Sequence, residues 1–79
     1  MARVKTKKVV VTFHTTTQAI FMEQCGKQEN LPGRLIPVPR QISAGCGMAW
    51  CSPWEESQNL KRLIEKNEIE VEGVYELLL

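Results

Sequence analysis

The chain has 79 residues, a net charge of +1, 43% hydrophobic and 24% charged residues, the profile of one small globular domain. A chain this short buries only roughly 60% of its unfolded surface, so it can hold a modest core but no enclosed active site. The near-neutral balance gives no argument for nucleic acid or a membrane as partner, and no run approaches the ~18 apolar residues of a membrane span.

Met1 to Lys8 reads as a basic tail, and residues 9–79 as a single domain. Val9-Val10-Val11-Thr12-Phe13 is a continuous β-branched and aromatic run, the signature of a central strand. Thr15 to Thr17 can cap a helix that runs from Gln18 to about Lys27, with Ala19, Met22 and Gly26 on one face. Leu31-Pro32-Gly33 is a turn signal. Arg34 to Val38 predicts a second strand, which Pro37 and Pro39 confine to a sheet edge because they lack amide hydrogens. Residues 40–47 form a loop, and Met48 to Cys51 a short third strand. Ser52-Pro53-Trp54-Glu55 predicts an N-cap, a first-turn proline and an N3 glutamate, opening a helix with Leu60, Leu63 and Ile64 as its apolar stripe. Asn67 is its expected C-terminal cap, and Gly73 to Leu78 the fourth strand.

The order β-α-β-β-α-β predicts an α+β, ferredoxin-like split βαβ fold: a four-stranded antiparallel sheet in the order 4-1-3-2 with two helices on one face. The first and second strands then run the same way. Their C-terminal ends share a rim with the start of the first helix and with the loop that carries Arg40, Ser43, Gly45, Cys46 and Gly47. The connection Glu68 to Val71 is expected near the same rim.

That loop holds the candidate chemistry. Cys46 stands between two glycines, whose missing side chains leave the thiol little cover and let another molecule approach the backbone. A helix start bearing Thr16, or the Arg40 guanidinium, would favour the thiolate, which is the nucleophile. The same residues also fit a glycine-rich turn in which the cysteine is only a small apolar residue. His14 can be read as a Cys46 partner or as a solvent-exposed strand end. Cys25, half-buried on the first helix, and Cys51, near the start of the second, read as structural. Cys25, Cys46, Cys51 and His14 show no paired zinc-knuckle spacing, so no metal and no cofactor is expected. The strands lack the stacking aromatics of RNA-binding domains of this topology.

Charge is unevenly spread: residues 1–40 carry seven basic and two acidic side chains, residues 41–79 three and seven. Such asymmetry can dock a partner or order a dimer. Three cysteines and no secretion signal predict reduced thiols in a cytoplasm.

The run Leu35-Ile36-Pro37-Val38-Pro39-Arg40, followed by Ile42-Ser43 and Cys46-Gly47, resembles the core motif of the selenium/sulfur carrier-like family of small prokaryotic proteins. The likeness extends from Val9 to Leu78 and takes in Thr16, Ala19, Glu23 and Gly73-Val74-Tyr75. Ser43-Ala44-Gly45 departs from the paired serines common in that family, and Cys25 and the Leu31-Pro32-Gly33 turn are also unusual. The resemblance implies a carrier rather than a true enzyme. Cys46 would accept persulfide sulfur or selenium from a donor such as a cysteine desulfurase and yield it to a downstream enzyme. Ser43, Gly45, Gly47, Arg40, Thr16 and His14 would form its supporting shell. The rival reading is a non-catalytic regulatory or interaction module, dimeric through an exposed apolar sheet face that would include Trp50.

Overall fold

The computed structural model describes residues 5–42 and 47–79. Six elements follow in order: β1 (Lys7–Thr12), α1 (Thr16–Gln28), β2 (Arg34–Pro37), β3 (Met48–Pro53), α2 (Ser57–Lys66) and β4 (Gly73–Leu78), with a 3-10 turn at Trp54–Glu56 ahead of α2. The strands form one sheet in the order β2-β3-β1-β4, each neighbouring pair antiparallel. This is the expected α+β ferredoxin-like arrangement, with the valine-rich strand inside and the proline-bearing strand at an edge. β1 begins at Lys7, earlier than its apolar run, because Lys7 and Lys8 oppose Leu78 and Leu77 of β4.

Alternation along β1 and β3 divides the sheet into two faces. Val9, Val11 and Trp50 point toward the helices and pack with Phe13, Ala19, Met22, Cys25, Leu60, Leu63 and Ile69. Val10 and Ala49 point the other way and pack with Ile42, whose segment folds back beneath the helix-free face. Ile36, Val38, Cys51, Leu77 and Leu79 complete that smaller cluster.

Two expectations are corrected here. Trp50 lies on the helix-covered face, only 2% exposed, and not on an open sheet face. Its ring fills the space left by two glycines: a Cβ at Gly26 would come within 2.9 Å of the ring, and one at Gly33 within 2.7 Å. Gly33 also has φ +150, a conformation that suits only glycine. Ser52, expected as the N-cap of α2, is instead a fully buried strand residue. Its hydroxyl accepts the Trp50 Nε1 hydrogen at 2.7 Å and donates to the Pro32 carbonyl at 2.7 Å. A buried indole N–H needs an acceptor, and that demand outweighs a local capping preference. β3 therefore continues through Pro53, and α2 starts at Ser57 after the 3-10 turn, with no side-chain cap at Glu56.

The two helices end alike. After α1 the backbone turns through Asn30 at φ 56, with Leu31 N donating to Gly26 O at 2.9 Å. After α2 it turns through Glu68 at φ 52, with Ile69 N donating to Ile64 O at 3.0 Å. Each is a Schellman closure in which an apolar residue follows the left-handed one. Asn67 caps α2 as expected, its Nδ2 donating to Leu63 O at 2.9 Å, and also reaches Glu29 Oε2 at 3.2 Å, tying the helix ends together.

Candidate functional site

β1 and β2 both run antiparallel to β3, so their C-terminal ends share a rim with the starts of β3 and β4. Thr15 opens α1 on this rim. Its extended backbone and its Oγ1, which accepts the Gln18 amide at 3.3 Å, make it the N-cap, so Thr16 is the first helical residue. The 68–72 connection returns to the same rim. Glu70 N donates to Gln18 Oε1 at 3.3 Å, and Glu72 N donates to Thr12 O at 2.7 Å. The connection is thus hydrogen-bonded to both the helix start and the β1 end, and Phe13, Ala19 and Ile69 pack together in the core beneath them.

The mouth of the motif loop is defined on both sides. Val38 N donates to Gly47 O at 3.1 Å, and Ile42 N closes a turn on Pro39 O at 2.9 Å. Ile42 is 9% exposed and anchors this stem under Val10 and Ala49. Gly47 has φ +77 and would have open space around an added Cβ, so only its backbone conformation asks for glycine. Arg40 and His14 are exposed, as is Thr16. Ser43, Gly45 and Cys46 lie outside the described residues. Of the expected shell, the structure therefore brings His14, Thr16 and Gly47 to one rim, with Arg40 on the turn beside it.

The other two cysteines are free thiols in different settings. Cys25 is buried in the helix-face core, where it was expected half-buried, because α1 turns it between the sheet and α2. Burial pushes its thiol up, and the nearby Glu29 carboxylate adds to the rise. Cys51 is half-buried on the helix-free face and lies in β3, the strand expected to hold it. Burial pushes its thiol up too, while Lys8 and Arg34 pull it back.

Glu72 is a feature that sequence reasoning missed. One of its carboxylate oxygens is buried on the rim without a hydrogen-bond partner among the described residues. No sequence signal distinguishes it from Glu68 or Glu70. The difference comes from the bond between its amide and Thr12, which draws the residue against the sheet. Among the described residues no group of three or more His, Cys, Asp or Glu side chains could hold a metal ion, and no helix is long and apolar enough to cross a membrane.

A comparison with protein families matches residues 8–76 to the model described as Putative Se/S carrier protein-like. The chain belongs to the Se/S carrier protein-like family. The match runs from β1 to within β4, so it takes in the rim, the motif loop and both helices. It agrees with the resemblance carried by Leu35 to Gly47. Comparisons with curated proteins and with solved structures each gave no match.

Proposed function

We propose that this Se/S carrier family member relays sulfane sulfur or selenium on Cys46, between a persulfide donor of the cysteine desulfurase class and an acceptor enzyme. In the loading step the Cys46 thiolate attacks the outer sulfur of the donor persulfide. The donor S–S bond breaks, the donor cysteine leaves as a thiolate, and Cys46 retains the outer sulfur with its proton. Delivery repeats the exchange toward the acceptor, with no net oxidation. Thr16 and the free amides of the α1 start, with Arg40, favour the anionic forms. Ser43 and His14 supply hydrogen bonds, and Gly45 and Gly47 keep the thiol approachable. A carrier needs no deep pocket, which suits a cytoplasmic domain of this size.

The observation that carries this reading is the contrast among the thiols within a carrier family. Cys25 is buried, and both Cys25 and Cys51 are pushed above the ordinary thiol range. Cys46 is the thiol of the family-like motif, on a loop whose described flank, Gly47, is exposed. The test is persulfide loading by a cysteine desulfurase, read by peptide-resolved mass spectrometry. Cys46→Ser should abolish loading, while Cys25→Ser and Cys51→Ser should retain it. Equal loading of the three thiols overturns the assignment.

A second reading, a dimeric interaction module, is favoured by β4. This strand forms an open sheet edge on which Val74 is 53%, Tyr75 38% and Leu78 60% exposed. Edge strands of this kind pair readily with a second copy. Sedimentation at high concentration tests it: a dimer that Cys46→Ala leaves intact supports the module, and a monomer counts against it.

A further inference from the structure

We propose that Cys51 is a second, separate thiol site, which takes small anionic disulfides as a mixed disulfide on the helix-free face of the sheet. The site stands independently of the reading of Cys46.

The register builds it. Cys51 opposes Arg34 of β2 on one side and Val10 of β1 on the other. Lys8, two positions from Val10 on the same face, is its diagonal neighbour. Directly opposed side chains have Cβ atoms about 5 Å apart and diagonal ones about 7–8 Å apart, so both cations stand within reach of one ligand at the sulfur. The three residues line a single cleft of about 600 Å³, walled by Ile36, Pro53 and Leu79. That volume falls in the range of small-molecule sites, roughly 300–1,000 Å³. Among the described residues no Asp or Glu side chain lines the cleft; Leu79 does, its O accepting the Thr6 amide at 3.1 Å. Among the described residues the ion pairs are Lys7 with Glu76 and Lys66 with Glu29, so neither Lys8 nor Arg34 has a carboxylate partner. Two cations with no acidic side chain against them, and only the Leu79 carboxyl group at the wall, leave a net positive, concave and partly apolar cleft beside a half-buried thiol, which fits a reagent with both negative charge and a reactive sulfur.

The chemistry balances as an exchange. The Cys51 thiolate attacks one sulfur of the disulfide, whose S–S bond breaks. A new bond forms between Cys51 and that sulfur, and the other half leaves as a thiolate that takes up the proton Cys51 gave. Partial burial keeps Cys51 slow toward reagents in general, and Lys8 and Arg34 then select by charge. A cleft of net positive charge raises the local concentration and encounter rate of anions, on the order of tenfold, and salt removes the advantage.

The experiment treats the native protein with glutathione disulfide, which is anionic, or with cystamine, which is cationic. Adducts are read at each cysteine by mass spectrometry, and each rate is normalised to the same reaction in urea-unfolded protein. At low salt Cys51 should favour glutathione disulfide on the order of tenfold. The preference should collapse at about 0.5 M NaCl and in the Lys8→Gln/Arg34→Gln double variant. A preference for cystamine, no preference, a preference insensitive to salt, or adducts at Cys25 or Cys46 with Cys51 unmodified overturns the proposal. The salt series on the unaltered chain decides the matter even where the double variant fails to fold.

Discussion

The two faces of this sheet are built from the same strands and behave differently. On the helix side β3 delivers Trp50 and Ser52 into a closed core, where every polar group on them has a partner. On the other side it delivers Ala49 and Cys51 to a thinner cluster, covered by Ile42 and Leu79 and flanked by Lys8 and Arg34. One strand thus serves stability with its even-numbered residues and presents chemistry with the odd-numbered ones. The lesson is that burial alone does not rank the thiols. Cys25 and Cys51 are both pushed up by burial, but the charge beside Cys25 is negative and those beside Cys51 are positive.

Substitutions on the helix face should cost stability. The largest loss is expected for Trp50→Ala, about 3–5 kcal/mol by analogy with other buried aromatic truncations. In a domain whose total is about 5–15 kcal/mol this brings the chain near unfolding. A urea midpoint within error of the parent would break the view that the helix face carries the fold. Gly33→Ala should follow at roughly 2–4 kcal/mol, since it combines a backbone conformation suited to glycine with overpacking. Its Cβ would sit 2.6 Å from the Ser52 hydroxyl and 2.7 Å from the Cys51 carbonyl. Ser52→Ala strands the buried indole N–H and should cost about 1–3 kcal/mol. Near-UV circular dichroism of Trp50 would report the same loss.

The thiols sharpen the comparison by sign. Each has a folded pKa above that of the unfolded chain, where a cysteine titrates near the ordinary value of 9.0. The stability they contribute is therefore fully present below that pH and is lost as pH rises toward the folded pKa, because the folded state holds a proton the unfolded chain has released. Urea titrations across the alkaline range should show this decline, and Cys25→Ala should flatten part of it. Added salt screens Glu29 and so should lower the Cys25 pKa, while it screens Lys8 and Arg34 and so should raise that of Cys51. Titration of the ¹³Cβ shifts would show the two moving in opposite directions, and movement in the same direction would refute the electrostatic distinction. The smallest effect is expected at Lys7 and Glu76, an ion pair at 3.3 Å whose side chains are about half exposed. Glu76→Gln should change stability by less than about 1 kcal/mol.

Local sequence decided the order of elements. A β-branched run at Val9 to Val11, prolines at 37 and 39 and an apolar stripe at Leu60, Leu63 and Ile64 each act over a few residues, and the structure follows them. The Leu35 to Gly47 motif was legible for the same reason, and it points to the family that the comparison shows. Tertiary structure decided what depends on distant partners. Met48-Ala49-Trp50-Cys51 is apolar throughout, so its pattern could not say which residues face the helices. Pairing with β1 fixed that parity, because directly opposed residues share a face. Ser52 looked like a cap until the fold brought Trp50 and Pro32 to it, and a buried donor takes the acceptor within reach. Cys51 gained its two cations only when β2 and β1 were laid on either side of β3. Hydrogen-bond demand and charge proximity are properties of three-dimensional neighbours, which periodicity along a single strand does not encode.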